Sequence, residues 1–257
     1  MTIHIFPPTH QGSGEFDGGA IIEQKPIGFS GEGSAVTRIG PLFYWAWGTA
    51  PQEGFIPSHP HQAFEIMTYV LQGKALHGDS LGTDSTVGAG GAQVIQAGSG
   101  VYHNERIVGP DAEIFQIWFE PNVREALQRK PTYNQYEHEQ FPLTQKDGTT
   151  VKAVIGEEAP IKLVADARMW DVTIADGSQF TVPVGANRSS AILAYRGDGS
   201  LRTASGEAAS FSHKDFVVLM GMQDDVITLS PENGQTLSLA IIDVPTDPGY
   251  SLYPKRP

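Results

Sequence analysis

The chain has 257 residues, enough for one large domain or two ordinary ones with separate cores, and its 29 acidic against 17 basic residues give a net charge of −12. No basic stripe offers the attraction for phosphate that nucleic-acid binding needs, so direct contact with DNA or RNA is not expected. Cysteine is absent, which excludes disulfides, zinc–thiolate sites and iron–sulfur clusters and leaves only nitrogen and oxygen as metal donors.

The N-terminal stretch MTIHIFPPTHQGSGEF has neither a basic n-region nor an apolar h-region, and no run approaches the ~18 apolar residues of a membrane span. A cytoplasmic protein without membrane contact is the expectation. Along the chain, Gly and Pro punctuate short runs rich in Val, Ile, Thr, Phe and Tyr, the pattern of many short strands joined by turns. In the first half these runs are 64–71, 92–96 and 114–119. A helix is expected after Pro121, from Asn122 as N-cap to Lys130, with Pro131 as the stop. A polar connector follows from Pro131 to Gly148. Beyond it come strands at 151–155, 169–174, 179–182, 191–195, 215–219, 226–229 and 237–242. The pattern predicts two β-rich halves, residues 1–140 and 141–257, bridged by the short helix, as in a duplicated sandwich or barrel without a clear internal repeat.

The halves differ chemically. The first carries His59, His61, His77 and His103, whereas the second carries only His213. Two segments stand out: His59-Pro60-His61 and His103-Asn104-Glu105. On a strand, residues i and i+2 point to one face, so each segment can aim two donors into one cavity. Glu65 follows His61 by four residues and on a regular strand would share the same face, while Glu105 shares a face with His103. An octahedral ion accepts three imidazoles and either carboxylate and keeps two cis positions for water, substrate or dioxygen, and strand parity does not choose between them. The carboxylate left out could hydrogen-bond a ligating imidazole and fix its tautomer.

Other candidates read as structural. His77-Gly-Asp-Ser-Leu-Gly82 has the form of a hairpin turn in which Asp79 caps backbone amides. His4, His10, His138 and His213 lie in polar or terminal contexts and receive no chemistry. Phe64, Tyr69, Tyr102 and Trp118 suit either a core or a pocket wall. Gly98 and Gly100 suit a tight turn that delivers His103.

The segment from His59 to Glu105 resembles the pirin family, whose pattern runs His-Pro-His, Phe-Glu, Thr-Tyr, His-x-Asp-Ser-Leu-Gly, Ala-Gly-x-Gly and His-x-Glu. The likeness extends more loosely through Phe115-Gln-Ile-Trp118 and the Pro131-Thr-Tyr connector. Gln62-Ala63 stands where many pirins have Arg-Gly, and Gly88-Ala-Gly-Gly91 replaces a more usual Pro-Gly-Asp. The first departure removes a positive charge beside the metal, and neither touches a ligand.

The resemblance implies an all-β bicupin, two antiparallel β-barrel or jelly-roll domains. It implies one non-heme iron in the N-terminal domain, with ligands on His59, His61, His103 and Glu105, and a C-terminal domain without metal ligands. Fe(II) suits these donors, although Mn, Co, Ni, Cu or Zn could occupy them. The implied activity is that of a quercetin 2,3-dioxygenase, which cleaves the heterocycle of a flavonol with dioxygen and releases carbon monoxide. Glu105 would take the proton of the flavonol 3-hydroxyl, with Glu65 as its substitute. The same resemblance allows a second function, an iron-binding regulator whose redox state alters its affinity for a protein partner. A cupin isomerase, or an enzyme acting on another phenolic compound, is a third. A cavity wide enough for a planar aromatic substrate beside the metal would favour the enzyme, and a sealed site the regulator.

Overall fold

The computed structural model describes residues 1–232 and 234–255. In chain order the strands are β1 (Thr2–Phe6), β2 (Gly12–Phe16), β3 (Ile21–Ile27), β4 (Leu42–Ala50), β5 (Glu53–His61), β6 (Glu65–Asp79), β7 (Asp84–Gly88), β8 (Ala92–Gln96) and β9 (Val101–Phe119). After the helix α1 (Val123–Ala126) come β10 (Thr132–Tyr136), β11 (Leu143–Lys146), β12 (Thr149–Ile155), β13 (Arg168–Ile174), β14 (Phe180–Val184) and β15 (Arg188–Arg196). The last are β16 (Gly199–Thr203), β17 (Ala208–Phe211), β18 (Phe216–Met220), β19 (Asp225–Pro231) and β20 (Leu237–Pro245). All the strand pairings are antiparallel, so the expected all-β fold is observed. No helix among the described residues is long and apolar enough to cross a membrane.

Two compact units divide the chain. The N-terminal unit comprises Gln11–Gln140, Leu163–Ala165 and the residues from Gly249 onward, and the C-terminal unit comprises Met1–His10, Phe141–Lys162 and Asp166–Pro248. A simple division at 140/141 therefore does not describe the chain ends. β1 joins the C-terminal unit because it pairs with β18, Thr2 opposite Met220 and Phe6 opposite Phe216. The C-terminal tail joins the N-terminal unit through Tyr250, whose hydroxyl donates to the Glu120 carbonyl at 2.6 Å, and through Lys255, whose ammonium donates to the carbonyls of Gly28, Thr37 and Phe43.

In the C-terminal unit a seven-stranded sheet, ordered β1-β18-β15-β20-β13-β12-β11, accompanies a four-stranded sheet, β14-β19-β16-β17. Inward-facing Val172, Ile192, Leu239 and Ile241 of the first pack with Val182, Leu201, Ile227 and Leu229 of the second. Full burial of each such side chain contributes about 1.5–3 kcal/mol. His213, the one histidine between residues 141 and 257, donates from Nε2 to the Tyr195 carbonyl at 3.1 Å.

The N-terminal unit is built on one nine-stranded sheet, β10-β8-β6-β9-β4-β3-β2, with β5 added on β9 and β7 on β6. β6 and β9 are its longest strands, and register shifts between Val70 and Gln72 and between Gln72 and Lys74 bend them. Gly73 sits in this bend at φ +79°, where a Cβ would lie 2.5 Å from the Val108 carbonyl oxygen, so only glycine fits. The bend lets β9 pair with β4 over its second half and with β5 over its first, beside the far end of β6. That far end carries the site.

The helix is shorter than the sequence suggests. Asn122 does cap it, its side chain accepting from the Arg124 amide, but only Val123–Ala126 is α-helical. The Gln128 and Arg129 amides turn to i−3 carbonyls, and the Arg129 carbonyl accepts from the Ser99 amide at 2.8 Å, which draws the chain out of helical path.

Candidate metal centre

β9 runs between β5 and β6, and its register decides which side chains meet. His103 lies opposite His59 of β5 and Asp79 of β6, and Glu105 lies opposite Ile56 and His77. Between Ile56 and His59 the β5 strand bulges, so that Pro57 and Ser58 oppose the single Asn104. The bulge turns His59, and two residues later His61, onto the face that carries His103.

The donor atoms of His59, His61 and His103 all lie within 4.8 Å of one another, and this group could hold a metal ion. His59 Nδ1 lies 2.8 Å from the Pro57 carbonyl, which accepts its proton and leaves Nε2 as a lone pair. His103 Nε2 faces His59 Nε2 at 2.9 Å. Two ligand nitrogens about 2.1 Å from one ion at right angles lie about 3 Å apart, so the pair already has a suitable spacing. His61 Nε2 is buried without a hydrogen-bond partner. A buried ring nitrogen without a partner is costly, and a cation shared among the three rings would satisfy His61 Nε2. The residues therefore fit a metal.

Electrostatics favour the same state. Burial, reinforced by repulsion from His103 and His59, pushes the His61 imidazole down to about 3, against a weaker opposite pull from Glu105. Burial and the neighbouring His59 and His77 likewise push His103 down to about 3. Both rings are neutral at physiological pH, as ligation requires.

The two glutamates have different surroundings. Glu105 is 1% exposed, and its Oε1 accepts from Thr68 Oγ1 at 2.9 Å and Gln93 Nε2 at 3.2 Å, while Oε2 accepts from Gln116 Nε2 at 2.9 Å. A carboxylate offers about four lone-pair sites, so three accepted bonds leave Glu105 capacity for one more, although its oxygens are not among the donor atoms that meet within 4.8 Å, which among the described residues are those of His59, His61 and His103 alone. Glu65 is not on the histidine face. The chain turns at Ala63, φ +65°, so β5 ends at His61 and a new strand begins at Glu65, which breaks the parity assumed from the sequence. Glu65 instead accepts from the Val164 and Ala165 amides at 2.7 and 2.8 Å and from Gln96 Nε2 at 2.6 Å, and none of these partners is an imidazole. Burial raises its pKa.

Asp79 caps its turn, with Oδ1 accepting from the amides of Leu81 at 2.8 Å and Thr83 at 3.0 Å. His77 is more than a turn residue: it is 2% exposed, and its Nδ1 lies 3.4 Å from His103 Nδ1. Sequence spacing did not reveal this contact, nor Thr68, Gln93 and Gln116 around Glu105, because all of them depend on cross-strand register. Tyr69 is core, 1% exposed. Trp118 stands edge-on to His61 at 4.8 Å and forms an aromatic wall with Phe43 and Phe64.

A cleft of about 430 Å³ opens beside His61, lined also by Gln62, Ser80, Gly100 and Tyr102. Gln62 donates to the Ser99 carbonyl at 3.2 Å, and Tyr102 is 58% exposed at the rim. The rim thus offers a neutral amide and an aromatic face.

A family model described as Pirin matches residues 46–119. A Pirin-like protein of Caulobacter vibrioides is 32% identical over 196 residues, covering 73% of this chain and 68% of that one. The chain spans 57% of the length of two plant relatives that it matches. Among solved structures, the bacterial pirin YhhW from Escherichia coli in complex with nickel(II) superposes with a TM-score of 0.74 at 22% identity, over 95% of this chain and 99% of that one. A quercetin 2,3-dioxygenase from Acinetobacter baumannii superposes with a TM-score of 0.78 at 16% identity, over 98% and 82%. At such identities these structures share the fold.

Proposed function

The chain belongs to the pirin family of bicupin proteins, and from that premise we propose that it is a cytoplasmic, metal-dependent dioxygenase that cleaves a flavonol such as quercetin. One divalent transition metal, Fe(II) by the character of its donors, is held by His59, His61 and His103, with Glu105 as the fourth ligand. When bound, the metal supplies the Lewis acidity that acidifies an enolic hydroxyl and the redox chemistry that dioxygen requires.

The chain's own residues do the rest. Glu105 receives the hydroxyl proton on its carboxylate, which Thr68, Gln93 and Gln116 hold in place. Tyr102 gives the planar substrate a face to rest on at the rim, and the wall of Trp118, Phe43 and Phe64 keeps water from the far side of His61. The observation that supports the reading most is the double role of His61. Its unpartnered Nε2 belongs to the metal-binding group, and its ring lines an open cleft. Two described fold neighbours fit the proposal, one complexed with nickel(II) and one named for quercetin cleavage.

A regulator that uses iron only to change its surface would be expected to seal its site. A cleft of about 430 Å³ favours the enzyme. The test is loss of quercetin absorbance with matching oxygen uptake by metal-loaded protein. Turnover without oxygen, or by metal-free protein, would contradict the proposal.

A further inference from the structure

Behind the three histidines runs a second line of buried polar groups. His77 Nδ1 lies 3.4 Å from His103 Nδ1, at the long end of hydrogen-bonding range, and His77 Nε2 lies 2.8 Å from Asp79 Oδ2. The side chains of His77 and Asp79 are both 0% exposed. The His77 ring stacks on Tyr133, centroids 4.3 Å apart and planes at 17°. Tyr133 in turn donates to Gln93 Oε1 at 3.2 Å, and Gln93 holds Glu105.

With His103 ligating through Nε2, one arrangement of hydrogens in this line pairs every donor with an acceptor. His103 turns Nε2 toward His59, so as a metal ligand it carries its one proton on Nδ1. That proton points at His77 Nδ1, which must accept. The His77 proton then sits on Nε2 and points at the Asp79 carboxylate, which is itself fixed by the Leu81 and Thr83 amides. In this order each donor meets an acceptor, from His103 Nδ1 through His77 to Asp79.

We infer that His77, anchored by Asp79, is a positioning residue for the metal centre: it accepts the Nδ1 proton of His103, fixes that ring's tautomer and orientation, and increases its strength as a ligand. The inference rests on the proposed metal site and adds to it a relay from a turn carboxylate through two imidazoles. Outer partners of this kind typically contribute 10–100-fold to metal affinity.

Two substitutions separate this role from simple packing. His77→Phe keeps the stack on Tyr133 and removes the acceptor, whereas His77→Asn places an amide oxygen close to the lost Nδ1. With Ni(II) as the probe in chelator competition, H77F is expected to bind about 10–100-fold more weakly than the wild type while unfolding as cooperatively. H77N is expected to recover most of the loss. Equal affinity of H77F and the wild type would overturn the relay and leave the metal site standing, and so would equal losses in H77F and H77N. Failure of the wild type itself to bind Ni(II) would overturn both.

Discussion

His59 and His103 face each other across the β5–β9 pair with their Nε2 atoms 2.9 Å apart, each ring turned by a contact at its opposite nitrogen. For His59 that contact is the Pro57 carbonyl, and for His103 it is His77. The site is therefore set from behind. This arrangement, more than the presence of histidines, makes the centre ready for an ion, and it ranks the residues around it by what each should do when changed.

Glu105→Gln keeps the size and one accepting oxygen but removes the charge and the proton acceptor, and sets an amide NH2 where Glu105 accepts from a neighbouring donor. In protein saturated with metal, kcat for flavonol cleavage is expected to fall about 10²–10⁴-fold. Steady-state assays with metal content measured in the same samples check this. An unchanged kcat would remove Glu105 from the mechanism.

Glu65→Ala should act on the fold and not on the ion. It strips the buried Val164 and Ala165 amides of their acceptor, and each orphaned donor costs about 1–3 kcal/mol. Denaturant unfolding is expected to show reduced stability with full metal stoichiometry. Loss of metal at wild-type stability would return Glu65 to the ligand set.

The metal-free protein should lose stability in mild acid. His61 and His103 titrate near 3 in the fold against an ordinary value of 6.5, so between these values the unfolded chain binds protons that the folded chain does not. Their contribution is complete above about pH 6.5 and is lost as pH falls toward about 3. Urea unfolding at several pH values, repeated on His61→Phe, checks the sign. The variant's profile should be flatter, and identical profiles would contradict the shift.

Tyr102→Ala removes the exposed ring at the cleft rim while leaving the histidine cluster intact. An aromatic contact contributes about 0.5–1.5 kcal/mol, so KM for quercetin is expected to rise about 2–10-fold with metal content unchanged. Comparing KM and kcat separately checks it. An unaltered KM would place the substrate elsewhere.

The His-x-His and His-x-Glu segments were legible because i, i+2 spacing is local, and so were the short strands such as β8. The long strands were not. Runs expected at 64–71 and 114–119 are only parts of β6 and β9, which continue through Gly73, Gly78 and the Gly109-Pro110 pair, the first at a register shift where the sheet bends. β4, LFYWAWGTA, is nearly continuous in apolar residues and central in its sheet, so it shows no alternation from which to read it. Glu65 misled because parity counts through Ala63, where the backbone is left-handed. The partnership of His77 with His103 depends on the pairing of β6 with β9, which no local pattern encodes.

The most direct test is anomalous diffraction at a metal absorption edge on crystals of the metal-loaded protein, soaked with a flavonol. The expected result is one peak bounded by the Nε2 atoms of His59, His61 and His103, with flavonol density in the cleft beside His61. A peak ligated elsewhere, or none in crystals whose metal content has been verified, would contradict the assignment.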